Sequence, residues 1–376
     1  MKQPGYIGWM DELRGIAVLM VVVYHALFWT YGQLHYGWNE MGIRSPSTGG
    51  IPWYFAPFTL GWGGVAIFFV ISGFCIHLSH QRTGLWKDFF IKRFWRIYPP
   101  YAFAMVAFFC SDLLLYQISF HGTGSQAATK QLVTHALLIH NLSSDTLYGI
   151  NPSFWSIAIE WQLYLIYPLL VFGVARFGWL ASLVTALACE VALQLAISRA
   201  DIYFDLILKA SPFAYWFSWS LGAWLAQLYR ENKIPGSRWF LSPPLFCLLF
   251  AVCWLWKPLA SLCFLAVALF SFSVIVRKLG DSKKPRNSMI SGLLSYCGTV
   301  SYSLYLLHQP IISLTHKILS RFDGYVGTPP EIRYFLLVFF SLVASMAAAS
   351  VFYYTIEKWS MNFGRRLAQT PSMSTA

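Results

Sequence analysis

Apolar runs of about 18 or more residues recur along this chain, and that is the length a helix needs to cross a bilayer. Read for this pattern, the sequence predicts ten spans, at roughly 13–31, 58–79, 97–118, 155–174, 178–198, 212–229, 241–256, 259–276, 292–316 and 334–356. One apolar stretch, residues 131–142 (QLVTHALLIHNL), is too short to span and runs into a polar turn and Asn151-Pro152. It is expected as a re-entrant or interfacial segment, which a membrane tolerates where protein or a wet cavity surrounds the backbone.

Composition agrees with this reading. Of the 376 residues, 57% are hydrophobic and 11% are charged, where a soluble domain carries about a quarter charged. The expected fold is therefore all-α integral membrane, with about ten transmembrane helices and the short interfacial segment. No repeat or low-complexity tract interrupts it, so a single domain over 1–376 is expected, with a core at 7–357 and a tail at 358–376. The formal charge of +12 would suggest nucleic acid in a soluble protein, but here its distribution reads as topology. With the N-terminus inside, the inner segments hold 18 Lys/Arg and the outer segments 8. That bias predicts cytoplasmic termini and no nucleic-acid partner. Counting 131–142 as a span would invert everything downstream and place the basic segment 277–291 outside. The first apolar segment lacks a small-residue cleavage site and begins with Asp11, Glu12 and Arg14, so it is expected as a retained span rather than a signal peptide. Seven cysteines lie scattered in apolar segments. No CxxC or Cys/His cluster occurs, so neither a disulfide framework nor a metal site is expected, and the cysteines read as small packing residues.

Ionisable residues inside spans are costly and face a cavity or a partner. Arg14 and His25 are eleven residues apart, which is three helical turns plus about 20°, so they share one face about 16 Å apart along the axis. Arg14 falls at the cytoplasmic end, with His25 deeper, past the midplane. The plainer alternatives are a snorkelling Arg14 paired with Asp11 at i−3 and a core His25 bonded to a backbone carbonyl. Residues 63–74 (GGVAIFFVISGF) are rich in glycine, which suits close approach of a ligand or, more commonly, of another helix.

The basic stretch 87–96 contains Lys87, Lys92, Arg93 and Arg96, followed by Pro99 and Pro100, which suit the first turn of the third span. Arg93 and Arg96 could hold phosphates through forked, charge-assisted bonds; positive-inside bias is the simpler explanation. Glu160 and Tyr164 stand i, i+4 on one face of the span entered at Phe154-Trp155-Ser156, where an interfacial glutamate in an aromatic belt is the alternative. His308 is a second intramembrane histidine, two residues before Pro310, which should bend its helix. Glu190 is a further intramembrane carboxylate. His77, His80, His135 and His140 show no metal-ligand spacing and read as structural or surface residues.

Taken together, these segments resemble acyltransferase family three, the membrane O-acyltransferases of sugars and other extracytoplasmic acceptors. The resemblance rests on Asp11…Leu13-Arg14-Gly15-Ile16-Ala17 with His25, then Gly63-Gly64…Phe68-Phe69-Val70-Ile71-Ser72-Gly73-Phe74. It continues with Arg93…Arg96-Ile97…Pro99, Phe154-Trp155-Ser156…Glu160…Tyr164…Pro168, and Ser301-Tyr302-Ser303…Tyr305-Leu306-Leu307-His308…Pro310. These run in family order over roughly 7–357. Glu12 stands where many members have glycine, and an esterase-like domain that some members carry after the spans is not expected here.

The resemblance implies a bacterial cytoplasmic (inner) membrane protein with a cytoplasmic acyl-CoA donor, most simply acetyl-CoA, and no metal. It implies a hydroxyl acceptor on a surface or exported polysaccharide, a lipopolysaccharide or a lipid-linked sugar, with a small molecule such as a macrolide as the alternative. It assigns the essential histidine to His25 and donor binding to Arg14, Arg93 and Arg96, and leaves Asp11, Ser72, Glu160, Tyr164 and His308 as substrate-facing or supporting residues. Within that scheme a buried, neutral His25 would accept the acceptor's proton, with Glu160, Tyr164 and His308 lining the outer side. A transporter of a sugar-containing substrate would share the intramembrane charges, but no internal repeat points to one.

Overall fold

A computed structural model describes residues 8–32, 51–111, 125–197, 207–234, 243–255, 259, 262–280 and 288–369. Parts of the expected segments 32–57, 119–154, 199–211, 230–240, 277–291 and 357–376, and the ends of several expected spans, lie outside the described residues. Every regular element among the described residues is helical. In chain order these are α1 (Trp9–Tyr31), α2 (Gly63–Thr83) after a 3-10 turn (Trp53–Trp62), α3 (Trp86–Ser111), α4 (Ser125–Ala136) and α5 (Phe154–Ile197). There follow α6 (Trp216–Arg230), α7 (Pro243–Leu255), α8 (Cys263–Gly280), α9 (Met289–Thr299), α10 (Ser301–Leu319), α11 (Pro330–Phe352) and α12 (Lys358–Gln369).

Five helical stretches among the described residues are long and apolar enough to cross a membrane, and the bent pair α9–α10 raises this to as many as six. The difference from ten has physical causes. The 44 residues of α5 cover two expected spans, and the backbone breaks between them at Gly178 (φ 81°, ψ 170°), a conformation that glycine adopts without steric cost. α6 and α7 have 15 and 13 residues, short of the ~20 that a span needs. α3 begins at Trp86, so the basic stretch expected as a loop is its first half. Pro99 and Pro100 therefore lie well inside the helix rather than in its first turn.

The expected span 292–316 is two helices bent by 79° at Val300. Pro310, the anticipated bend, lies within α10. The 131–142 stretch is the end of α4 and a 3-10 turn (His140–Leu142), and so is not a span. It is tied to α3 by Tyr98 and Tyr101, whose hydroxyls donate to the carbonyls of Ala136 and His135 at 3.0 Å each.

α1 occupies the centre, packed against α2, α9, α10 and α11. The tightest crossings rest on glycine. A Cβ on Gly73 would stand 1.9 Å from the Trp219 carbonyl oxygen, and one on Gly222 1.9 Å from that of Val70. α2 and α6 thus meet backbone to backbone through reciprocal glycines. Gly73→Ala is expected to cost about 1–3 kcal/mol through overpacking, read as a lower melting temperature in detergent, while Gly280→Ala, with open space around it, leaves melting unchanged.

Buried polar groups are tied down locally. Glu190, fully buried, accepts from the Ser218 N–H at 2.9 Å and from its hydroxyl at 2.6 Å, at the start of α6. It caps a helix N-terminus, where a carboxylate is favoured. His77 bonds Tyr167 at 2.9 Å. His77, His80, His135 and His140 are all buried, which makes them structural rather than surface residues.

The His135 and His140 rings stack face to face at 4.0 Å. Burial pushes His135 down to about 4 and His140 well below 6.5. An unfolded segment takes up protons near pH 6.5 that the folded one refuses, so stability falls as pH drops from 6.5 towards 4. Hydrogen exchange over 125–150 is expected to quicken in that window, and replacing both histidines by phenylalanine should flatten the response.

Candidate active site

Two cavities meet inside the helical bundle. The first, about 120 Å³, is lined by Arg14, Arg93 and Arg96 at one end, by Ser72, Glu160 and Tyr164 along its wall, and by Phe68, Ser156 and Tyr305 elsewhere. The second is a basin of about 660 Å³ lined by Asp11, Arg82, Lys92 and Arg365. Arg14, Arg93 and Arg96 line both, so they form the neck between them. The helix break at Val300 serves this geometry, because Gly298 and Thr299 face the basin whereas Ser301, Tyr302 and Tyr305 face the narrow cavity.

Each neck arginine is held differently. Arg14 donates to Asp11 at 2.8 Å and to the Cys75 sulfur at 3.1 Å. The i−3 pairing expected for Arg14 is therefore present, and the side chain also faces both cavities. Cys75, expected as a packing residue, helps to aim it. A Cβ on Gly298 would lie 1.8 Å from the Asp11 carbonyl oxygen, so the same close crossing that joins α9 to α1 fixes Asp11. Arg96 pairs with Glu357 and lies over the Tyr302 ring at 5.7 Å. Glu357 is fully buried and also accepts from the Ser303 hydroxyl. It ends a π-helical turn (Tyr353–Glu357) that joins α11 to α12, the sort of helical irregularity that recurs at functional sites. Arg93 donates to Ser79 at 3.0 Å. It makes no ion pair among the described residues, and its Nε is buried without a partner.

Ser72, Glu160 and Tyr164 form one cluster. The Ser72 hydroxyl donates to Glu160 at 2.8 Å and lies 3.1 Å from the Tyr164 hydroxyl, which also donates to Glu160. The indole N–H of Trp219 reaches Ser72 at 3.3 Å. This cluster belongs to the arginine cavity. The expected grouping of Glu160 and Tyr164 with His308 is therefore not what the packing produces, because α5 turns that face towards α2 and α3.

His308 instead meets His25, with its Nε2 at 3.2 Å from His25 Nδ1. The tautomers follow from the carbonyls. His25 Nδ1 lies 2.9 Å from the Val21 oxygen and His308 Nδ1 2.7 Å from the Tyr305 oxygen, so each Nδ1 carries its hydrogen and each Nε2 carries a lone pair. His308 Nε2 accepts from the Ser153 hydroxyl at 3.3 Å, whose oxygen accepts from Gln309 at 2.8 Å, and it lies in contact with His25 Nδ1, whose hydrogen is taken by the Val21 carbonyl. All of His25's bonds fall on Nδ1, which leaves Nε2, on a half-buried ring, as the basic atom of the pair. The carbonyl bond expected of a core histidine exists, and it fixes the tautomer and orientation of the imidazole.

His25 lines neither cavity. Ser156 and Tyr305, which line the narrow cavity, have hydroxyls 2.6 Å apart, and the Tyr305 ring lies 5.4 Å from that of His308. No group of three or more His, Cys, Asp or Glu side chains among the described residues could hold a metal ion.

Sequence reasoning passed over Glu357, Arg82, Lys92 and Arg365 as site residues, and gave Tyr302, Tyr305, Ser153 and Ser156 no role. Glu357 had a usable signal, since a carboxylate directly after the last apolar run would be expected to seek a cation.

A helical membrane protein with arginines converging between two cavities and a base deeper in the bundle has the parts of a membrane-embedded group transferase. Residues 7–354 match the acyltransferase domain, and the chain belongs to acyltransferase family three. It is 24% identical over 336 residues to Acyltransferase MdmB of Streptomyces mycarofaciens, covering 84% of this chain and 86% of that one. It is 28% identical over 356 residues to the peptidoglycan O-acetyltransferase OatA of Listeria monocytogenes, covering 84% of this chain and 50% of that one. It is 26% identical over 344 residues to nodulation protein 10 of Rhizobium leguminosarum, covering 84% of each. This chain thus spans about half the length of the peptidoglycan relative. No solved structure matches. The protein is an acyltransferase, and it implies an acyl donor and a hydroxyl acceptor at a membrane.

Proposed function

We propose that this protein is an O-acetyltransferase that moves an acetyl group from cytoplasmic acetyl-CoA to a hydroxyl of an envelope or exported glycan. The observation that carries this reading is the neck, where three arginines from two helices separate a nucleotide-sized basin from a narrow cavity whose wall residue Tyr305 packs against His308. Ligand sites typically occupy about 300–1,000 Å³, and arginine forks suit phosphate.

In this reading the basin faces the cytoplasm and both termini lie on that side, as the charge bias predicts. Arg14, Arg93 and Arg96 hold the donor's phosphates while the thin pantetheine arm runs past Ser72 and Glu160. The acceptor oxygen attacks the thioester carbonyl, the C–S bond breaks, and the hydroxyl proton passes to His25 Nε2 and then to the departing sulfur. His25 lines neither cavity, so this step requires the cavity wall beside Tyr305, which packs against His308, to open towards the histidine pair. Glu160 and Tyr164 act on the donor side, Asp11 and Ser72 support the neck and wall, and His308 orients His25.

The test is mass spectrometry of envelope glycans from cells with and without the gene, together with transfer of labelled acetyl from acetyl-CoA by the purified protein. A lost acetyl mass is expected. Export of a sugar-containing substrate with no acetyl transfer would overturn the assignment in favour of a transporter, and a lost acetyl on a secreted small molecule would move the acceptor class.

A further inference from the structure

The cations of the basin fall into two groups. Arg14, Arg93 and Arg96 line both cavities, whereas Arg82 at the end of α2, Lys92 on α3 and Arg365 on α12 line the basin alone. Lys92 and Arg365 make no ion pair among the described residues. Six cations line the basin, with Asp11 in its wall pairing with Arg14 and Glu357 standing behind Arg96. Ser79 and Thr299 are the hydroxyls in the wall, and Tyr353 and Met361 supply ring and thioether surface.

We infer that Arg82, Lys92 and Arg365 form a second phosphate subsite that reads the 3′-phosphate of a 3′-phosphoadenosine donor, separate from the neck that holds its diphosphate. This rests on the proposed acyl-CoA donor. The argument is positional. The thioester must lie past the neck, in the narrow cavity, so the diphosphate joined to the pantetheine arm sits at the neck. The ribose and its phosphate then fall on the basin side, where these three are the remaining lining cations among the described residues. A phosphomonoester adds about 1.5 to 2 negative charges to those of the diphosphate, and cations beyond the neck suit that second anionic group. A donor carried as plain phosphopantetheine has a single phosphate, and the neck alone would suffice for it.

α12 gives the subsite a distinctive origin. The helix is fixed to α3 by Ser360, whose hydroxyl donates to the Trp95 carbonyl, and by Gly364, where a Cβ would stand 2.5 Å from the Trp95 Cβ. That attachment carries Arg365 to the basin, while Trp359 and Phe363 remain exposed on α12. The segment after the last span is thereby part of the donor site rather than a tail.

The test is equilibrium binding of CoA, 3′-dephospho-CoA and 4′-phosphopantetheine to the purified full chain in detergent. The wild-type protein is expected to hold CoA about 10–100-fold more tightly than 3′-dephospho-CoA, as loss of charge-assisted bonds implies. Arg365→Gln and Lys92→Gln should each weaken CoA about tenfold and change 3′-dephospho-CoA less than twofold. Arg365 is exposed, so its variant is expected to fold, and unchanged binding of 3′-dephospho-CoA serves as the internal check. Equal binding of CoA and 3′-dephospho-CoA by the wild type, or equal weakening of both by the variants, would overturn the subsite. Wild type that binds none of the three would instead overturn the underlying donor reading. Tighter binding of an acylated carrier protein than of CoA would replace the nucleotide with a protein-borne donor.

Discussion

His25→Ala is expected to lower acetyl transfer by about 10²–10⁴-fold, the range that positioned general-base help supplies, with donor binding unchanged because His25 lines neither cavity. The reasoning is geometric. Val21 and His308 both take the Nδ1 side of the ring, so Nε2 is the atom that can accept a proton. His25→Gln keeps a polar side chain but offers no basic nitrogen, so it should be nearly as inactive. His308→Ala removes a positioning group and should cost less. Its mark is a change in the pH profile of the rate, because His308 Nε2 is the ring partner of His25, and His308→Asn should restore part of the profile. Near-normal transfer by purified His25→Ala protein would remove the base from the mechanism.

Glu357→Ala is expected to damage both stability and donor binding. Its carboxylate is wholly buried and holds Arg96 and Ser303. Removing one partner of a fully buried pair costs about 3–5 kcal/mol. Arg96 is 29% exposed at its side chain, which screens the stranded charge, so roughly 2–3 kcal/mol is expected here. Thermal melting in detergent reads the stability loss. The double variant Glu357→Ala with Arg96→Met should recover much of the melting temperature, because no unpaired cation remains, but not affinity for CoA. If melting stayed low in the double variant, the carboxylate would be acting through the π-helical turn rather than through Arg96.

Much of this site was legible along the chain because the signals were local. An ionisable residue inside an apolar run stands out, and a helix repeat of 3.6 residues puts Arg14 and His25 on one face. Arg93 and Arg96 were visible as a pair for the same reason. What escaped were relations between elements. Glu160 and Tyr164 share a face of α5 as expected, but their helix period could not say which neighbours that face would meet, and it met the arginines. The bend in the span from residue 292 was assigned to Pro310. It falls at Val300, two residues after Gly298, where the two helices serve different cavities.

The membrane class, the acyltransferase family and the list of costly charges are properties of composition, run length and motif order, and all of these are written linearly. The pairings are not. His25 meets His308 across 283 positions and Arg96 meets Glu357 across 261. Arg82, Lys92 and Arg365 look like ordinary topology charges until α2, α3 and α12 bring them to one basin. A helix repeat fixes which residues share a face, but it does not choose the face opposite. That choice comes from close packing, from glycines such as Gly73, Gly222 and Gly298 that let backbones touch, and from the need of every buried charge for a partner.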